Sequence, residues 1–152
     1  MIASKGPDWW VKIADFGISK RATEGLTALR TVTGTPAFTA PEVLPYFRMD
    51  DTLNDSYTNA VDVWSLGVIA FLILTGESLF TDPSRLGQYI TGNFTFPSDT
   101  LLANKVSAQG CSFVRGLMAP KPKDRPHVKE CLQHPWLHCL IKTHETQRYY
   151  LL

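Results

Sequence analysis

From Val61 to Leu74 nearly every residue is apolar, with Asp62 and Ser65 the polar side chains in the run. A helix that is apolar on all sides is either buried in a large core or lies in a membrane. Spanning a bilayer takes about 17–25 residues. This run is shorter, so it reads as a buried helix. Asn59 and Asp62 suit its N-terminus, an Asx side chain as cap and a carboxylate in the first turn. Gly76 suits its C-cap. A chain of 152 residues, 44% apolar, is long enough to build a core around it.

A second stretch opens with Asp15-Phe16-Gly17 and closes with Ala40-Pro41-Glu42, with Gly34-Thr35-Pro36 near its end. Trp9 to Ile13 reads as a strand leading into it. Ile2 to Ser4 reads as the tail of another strand, and Lys5-Gly6-Pro7-Asp8 as the turn between them, which together predict a hairpin. The Asp15 carboxylate is a hard oxygen ligand suited to Mg²⁺. Phe16 is a large apolar group whose packing sets the direction of that carboxylate. Residues 18 to 39 carry few periodic apolar positions, and a long loop of that kind is usually functional or disordered. Thr31, preceded by Arg30, is the first candidate for a phosphate that pairs with Arg or Lys and orders the loop, and Thr33 the second.

D-F-G followed by A-P-E brackets the activation segment of protein kinases. Asp62-Val63-Trp64-Ser65-Leu66-Gly67-Val68 resembles the central helix of the kinase large lobe, and His134-Pro135-Trp136 a motif near the end of many kinases. Over residues 2 to 137 the chain resembles a Ser/Thr protein kinase catalytic domain of the calcium/calmodulin-dependent or checkpoint-kinase-like group. The resemblance implies a mainly α fold, the large C-terminal lobe, with a short β-hairpin at the N-terminus. It implies a partial kinase domain over 1–137 and a C-terminal tail over 138–152. It makes Asp15 the metal ligand and Asp15, Phe16 and Gly17 the nucleotide-binding motif, with ATP and Mg²⁺ as cofactors of the complete enzyme. Thr35 becomes a positioning residue that bonds the catalytic Asp and a nearby Lys. Phe38 stands where a Tyr is usual. Asp62 holds the backbone of the catalytic loop, Trp64 belongs to the same scaffold, and Glu42 pairs with Arg125. As a surface residue in a charged turn, Arg125 would contribute under about 1 kcal/mol. As half of a buried pair its removal would cost about 3–5 kcal/mol.

The rest of the chain reads as follows. Pro45 to Thr58 is a polar insert. Asp82-Pro83-Ser84 starts a helix that runs to about Ile90 and ends at Gly92. Phe94 to Pro97 is an extended link. Ser107 caps a helix with Cys111, Val114, Leu117 and Met118 at helical spacing. Ala119 to Pro126 is a turn, and His127 to Gln133 a short helix with Val128, Cys131 and Leu132 inward. A net charge of +1 suggests neither nucleic acid nor an anionic membrane as partner. Cys111, Cys131 and Cys139 show no CxxC and read as reduced thiols of a cytoplasmic or nuclear chain. Cys131, His134, His138 and Cys139 fit no standard zinc-finger spacing.

The sequence contains no Gly-rich loop, no Val-Ala-Ile-Lys strand, no helix Glu before the D-F-G and no His-Arg-Asp with its downstream Asn. In kinases these supply the phosphate cover, the ATP-holding Lys and its partner, the catalytic base and a second metal ligand. The expectation is a Ser/Thr kinase fragment that is inactive by itself. Part of the helix around Trp64 should then meet water as an apolar patch. The alternative is a non-catalytic, pseudokinase-type interaction module, with the helix from Asp82 to Ile90 and the loop after Gly76 as its partner surface. The partners are protein substrates or regulatory proteins.

Overall fold

The apolar run forms the longest helix among the described residues, α1, Ala60–Thr75. Around it lie α2 (Pro83–Ile90), α3 (Ser98–Ala103), α4 (Ala108–Leu117) and α5 (Val128–Gln133), with short 3-10 turns at Pro36–Phe38, Pro41–Val43 and Pro122–Asp124. The computed structural model describes residues 36–44 and 59–137. This part is mainly helical. The expected hairpin, the polar insert and the tail fall outside it.

Local chemistry explains where the helices start and stop. The Asp82 carboxylate accepts from the Arg85 amide at 2.9 Å, and Pro83 follows in the first turn. The Ser107 hydroxyl accepts from the Gly110 amide at 3.2 Å. Gly76 sits at φ 75°, and its amide donates to the Leu72 carbonyl at 2.8 Å, closing α1. Asn59 differs from expectation. It lies in right-handed helical conformation (φ −49°, ψ −6°) and its side chain makes no cap bond. A capping residue must be extended for its side chain to reach the first free amides.

Four residues one or two turns apart split α1 into two faces. Val63, Trp64, Gly67, Val68 and Phe71 are buried, whereas Asp62, Leu66, Ile69 and Ile73 form an exposed stripe. Ile73 is 76% exposed and Leu66 50%. The helix is therefore apolar all round but buried on one side only. Its inner face meets α4, α3 and the loop after Gly76. Trp64 stacks on Phe80 at 5.6 Å with planes 10° apart, and Tyr89 of α2 lies 5.4 Å from Phe80. Leu101, Val106, Cys111, Val114 and Met118 complete this core. A second cluster joins Val63, Phe113, Leu117 and Cys131, with Trp136 against it.

After the Phe94–Pro97 link comes α3, in residues for which no element was expected; it has six residues and buries Leu101 alone. One further reading is corrected. In α5, Cys131 is buried, but Val128 and Leu132 face outward at 42% and 60% exposure. A helix of under two turns docks through a single side chain, so its other apolar residues have no neighbour to meet.

At Gly67 α1 closely approaches the C-terminal end of α4. A Cβ there would lie 2.5 Å from Met118 Cγ and 2.9 Å from Leu117 Cβ. Gly67→Ala should lower stability by about 1–3 kcal/mol through overpacking. Gly116, near the end of α4, has nothing within 4 Å of such an atom. Gly116→Ala should be neutral or gain up to about 1 kcal/mol. Urea unfolding of the two variants checks the contrast.

The Tyr89 hydroxyl donates to the Met118 carbonyl at 2.9 Å, and burial pushes its pKa from 10.0 up to about 12. Between those values the unfolded chain has lost a proton that the folded chain keeps. Stability must therefore fall as pH rises through this window. Urea midpoints at pH 9 and pH 11 should show this fall in the native protein and a smaller one in Tyr89→Phe.

Candidate functional site

The described residues nearest the expected catalytic motif are 36–44, the closing end of the stretch that begins at Asp15. They run as two short turns, the second flanked by extended backbone at Ala40 and Leu44. Ala40, Pro41 and Leu44 are buried against the body of the molecule. Proline at position 41 fixes φ and starts the second turn, whose amides Val43 and Leu44 donate to the Ala40 and Pro41 carbonyls, both at 3.0 Å. That turn aims Glu42 at Arg125.

Arg125 reaches the site from the loop after Pro122–Asp124. Its Nη1 and Nη2 donate to Glu42 Oε1 and Oε2 at 2.6 and 2.8 Å, a bidentate pair. Nη1 also donates to the Ala60 carbonyl at 2.9 Å, Nη2 to the Pro120 carbonyl at 3.2 Å, and Nε to the Ala119 carbonyl at 2.9 Å. A guanidinium has five N–H donors, and every one is used. The Trp64 ring lies under the guanidinium carbon at 5.0 Å. The Arg125 side chain is 0% exposed and that of Glu42 16%. Burying a charge is tolerable when it is paired and its remaining donors are bonded. Here both conditions hold.

The structure thus brings together Glu42, Arg125 and Trp64 at the start of α1. Asp62 lies in the first turn of α1, on the exposed face. Asp15, Phe16, Gly17, Thr31, Thr33 and Thr35 lie outside the described residues. Sequence reasoning missed four contributors. The Ala60, Ala119 and Pro120 carbonyls complete the Arg125 shell, and backbone oxygens leave no mark in a sequence. Ser65 Oγ donates to the Phe38 carbonyl at 2.8 Å. The signal for it was a hydroxyl placed in an apolar run. The Trp64 Nε1–H finds no partner among the described residues.

The Arg125 shell gives a direct test. Arg125→Met should destabilise the protein by about 3–5 kcal/mol, because the Glu42 carboxylate is left without its partner. The double variant Glu42→Gln/Arg125→Met should recover part of that loss. Chemical denaturation of the single and double variants measures the coupling.

The family model described as "Protein kinase domain" matches residues 1–137. Serine/threonine-protein kinase 17A of Oryctolagus cuniculus is 34% identical over 140 residues, covering 90% of this chain and 32% of that protein. Calcium/calmodulin-dependent protein kinase type 1 of Macrobrachium nipponense is 36% identical over 137 residues, covering 88% of this chain and 36% of that protein. Among solved structures, the Rad53 kinase domain and SCD2 in complex with AMPPNP matches with a TM-score of 0.52 at 26% identity, over 68% of this chain and 39% of that one. The chain spans about a third of the length of the curated relatives it matches. No helix among the described residues is long and apolar enough to cross a membrane. With a family model matched over nine-tenths of its length and helices arranged as in a kinase, the chain belongs to the protein kinase family.

Proposed function

We propose that this chain is the C-terminal part of a Ser/Thr protein kinase domain, residues 1–137, followed by a tail over 138–152. In the complete enzyme the reaction moves the γ-phosphoryl group of ATP to a Ser or Thr hydroxyl of a protein. The observation that carries the reading is the lock of Glu42 onto Arg125 and α1. It fastens the closing end of a stretch whose other end is Asp15-Phe16-Gly17. A segment between catalytic motif and core needs such an anchor if it is to present a protein substrate reproducibly.

The roles follow from chemistry and resemblance together. Asp15 is the Mg²⁺ ligand, and Phe16 and Gly17 set its direction. Bound Mg²⁺ offsets charge on the nucleotide phosphates. Thr35 positions the catalytic groups. Thr31 and Thr33 are the activation-loop phosphosite candidates. Glu42, Arg125, Asp62 and Trp64 are scaffold. AMPPNP in the Rad53 kinase structure supports a nucleotide ligand of the ATP class. The partners on this reading are protein substrates or regulatory proteins.

The 152 residues hold no catalytic base, no ATP-holding Lys and no Gly-rich loop. Phosphoryl transfer rests on positioning and electrostatic stabilisation together. Loss of a general base alone costs about 10²–10⁴-fold. Losing the other groups as well leaves no useful rate. The second reading, a non-catalytic interaction module, draws support from the exposed stripe of Leu66, Ile69 and Ile73.

Mg-ATP should therefore titrate into the purified chain without measurable micromolar binding, and a phosphorylation assay should show no turnover. Micromolar affinity together with turnover would overturn the claim of inactivity. The same assay on a polypeptide that also carries the missing elements should show Ser/Thr phosphorylation. Its failure there would favour the interaction module.

A further inference from the structure

Ser65 is a polar side chain in the middle of an apolar helix, where alanine would be the better helix former. Its hydroxyl has one proton and two acceptors within reach. One is the Val61 carbonyl of its own helix, four residues back, at 3.1 Å. The other is the Phe38 carbonyl, 27 residues away in sequence, at 2.8 Å. The closer acceptor is the distant one. Thr75, near the other end of α1, bonds locally among the described residues: its hydroxyl donates to the Phe71 carbonyl at 2.8 Å.

The segment 36–44 is tied down at one end by Glu42 on Arg125. Ser65 supplies the tie at the other end, at Phe38, three residues beyond Thr35. Between the two ties, Ala40 and Pro41 are buried. Each bond to the body of the molecule narrows the placements open to a short segment.

We propose that Ser65 is a positioning residue, whose hydroxyl fixes residues 36–44 against α1 and so sets where a protein substrate docks. What the segment faces rests on the kinase reading above; the tie itself does not. Ser65 acts through Phe38 and touches no reacting atom.

Hydrogen–deuterium exchange of the 152-residue chain tests the tie. Ser65→Ala should raise exchange of the Val43 and Leu44 amides about 2- to 10-fold, the range set by the net contribution of one hydrogen bond. Ser65→Thr, which keeps the hydroxyl, should restore it. Thr75→Ala, which loses a local bond of the same kind, should leave these amides unchanged. Unchanged exchange in Ser65→Ala, or an equal rise in Ser65→Thr, would overturn the proposal. In a catalytically complete polypeptide carrying this segment, Ser65→Ala should raise KM for a Ser/Thr peptide 2- to 10-fold with KM for ATP unchanged, and Ser65→Thr should reverse it. A peptide KM that does not move would also overturn it. If the kinase reading itself fails, the unsubstituted polypeptide transfers no phosphate, while the exchange measurement still decides the tie.

Discussion

The buried guanidinium of Arg125 is the constraint on which the rest of the described structure depends. It sits where three parts of the chain converge: the segment around Glu42, the first turn of α1, and the loop after α4. A carboxylate alone would not make this burial favourable. Desolvating two charges costs several kcal/mol per ion, and their attraction offsets it only with good geometry and full hydrogen bonding. The three backbone carbonyls supply that completeness. Lysine could not replace it, because a point charge with three donors cannot match a planar fork facing a carboxylate and three fixed oxygens.

Packing and polarity are coupled at the same place. Trp64 fills the space beneath the guanidinium and stacks on Phe80, so the charged site and the main apolar core share a wall. Its indole N–H has no partner among the described residues. An orphaned donor of this kind costs about 1–3 kcal/mol. The ring's area and its contact with the cation offset that cost. On the far side of the same helix Leu66, Ile69 and Ile73 meet water. α1 thus carries the fully buried Trp64 on one face and, on the other, three of the six exposed large apolar side chains among the described residues.

The sequence made the helices legible where the signals were local. Asp82, Ser107 and Gly76 are caps whose chemistry is complete within a few residues, and the apolar run needed no partner to be seen. Asn59 was misread because a cap depends on backbone conformation, which tertiary packing decided. α3 was missed because six residues with one buried side chain show no period. Val128 and Leu132 were placed inward on pattern alone, in a helix too short to have an inner face. The meeting of Glu42 and Arg125 was suggested by family resemblance, since nothing in a spacing of 83 residues announces a contact. Ser65 was visible as a letter but not as a link, because its partner is a carbonyl oxygen. The D-F-G and threonine motifs, the plainest features of the sequence, lie outside the described residues.

The ties on residues 36–44 close sequence loops of 27 and 83 residues. Contacts within α1, or between α3 and α4, close far shorter ones. Loop closure carries an entropic cost that rises with the length enclosed, and long-range contacts slow folding. The helical body can assemble from neighbouring pieces, whereas the segment must wait for Arg125 to arrive from the far end of the chain. On a ribosome, Glu42 would leave the exit tunnel long before its partner has been synthesised.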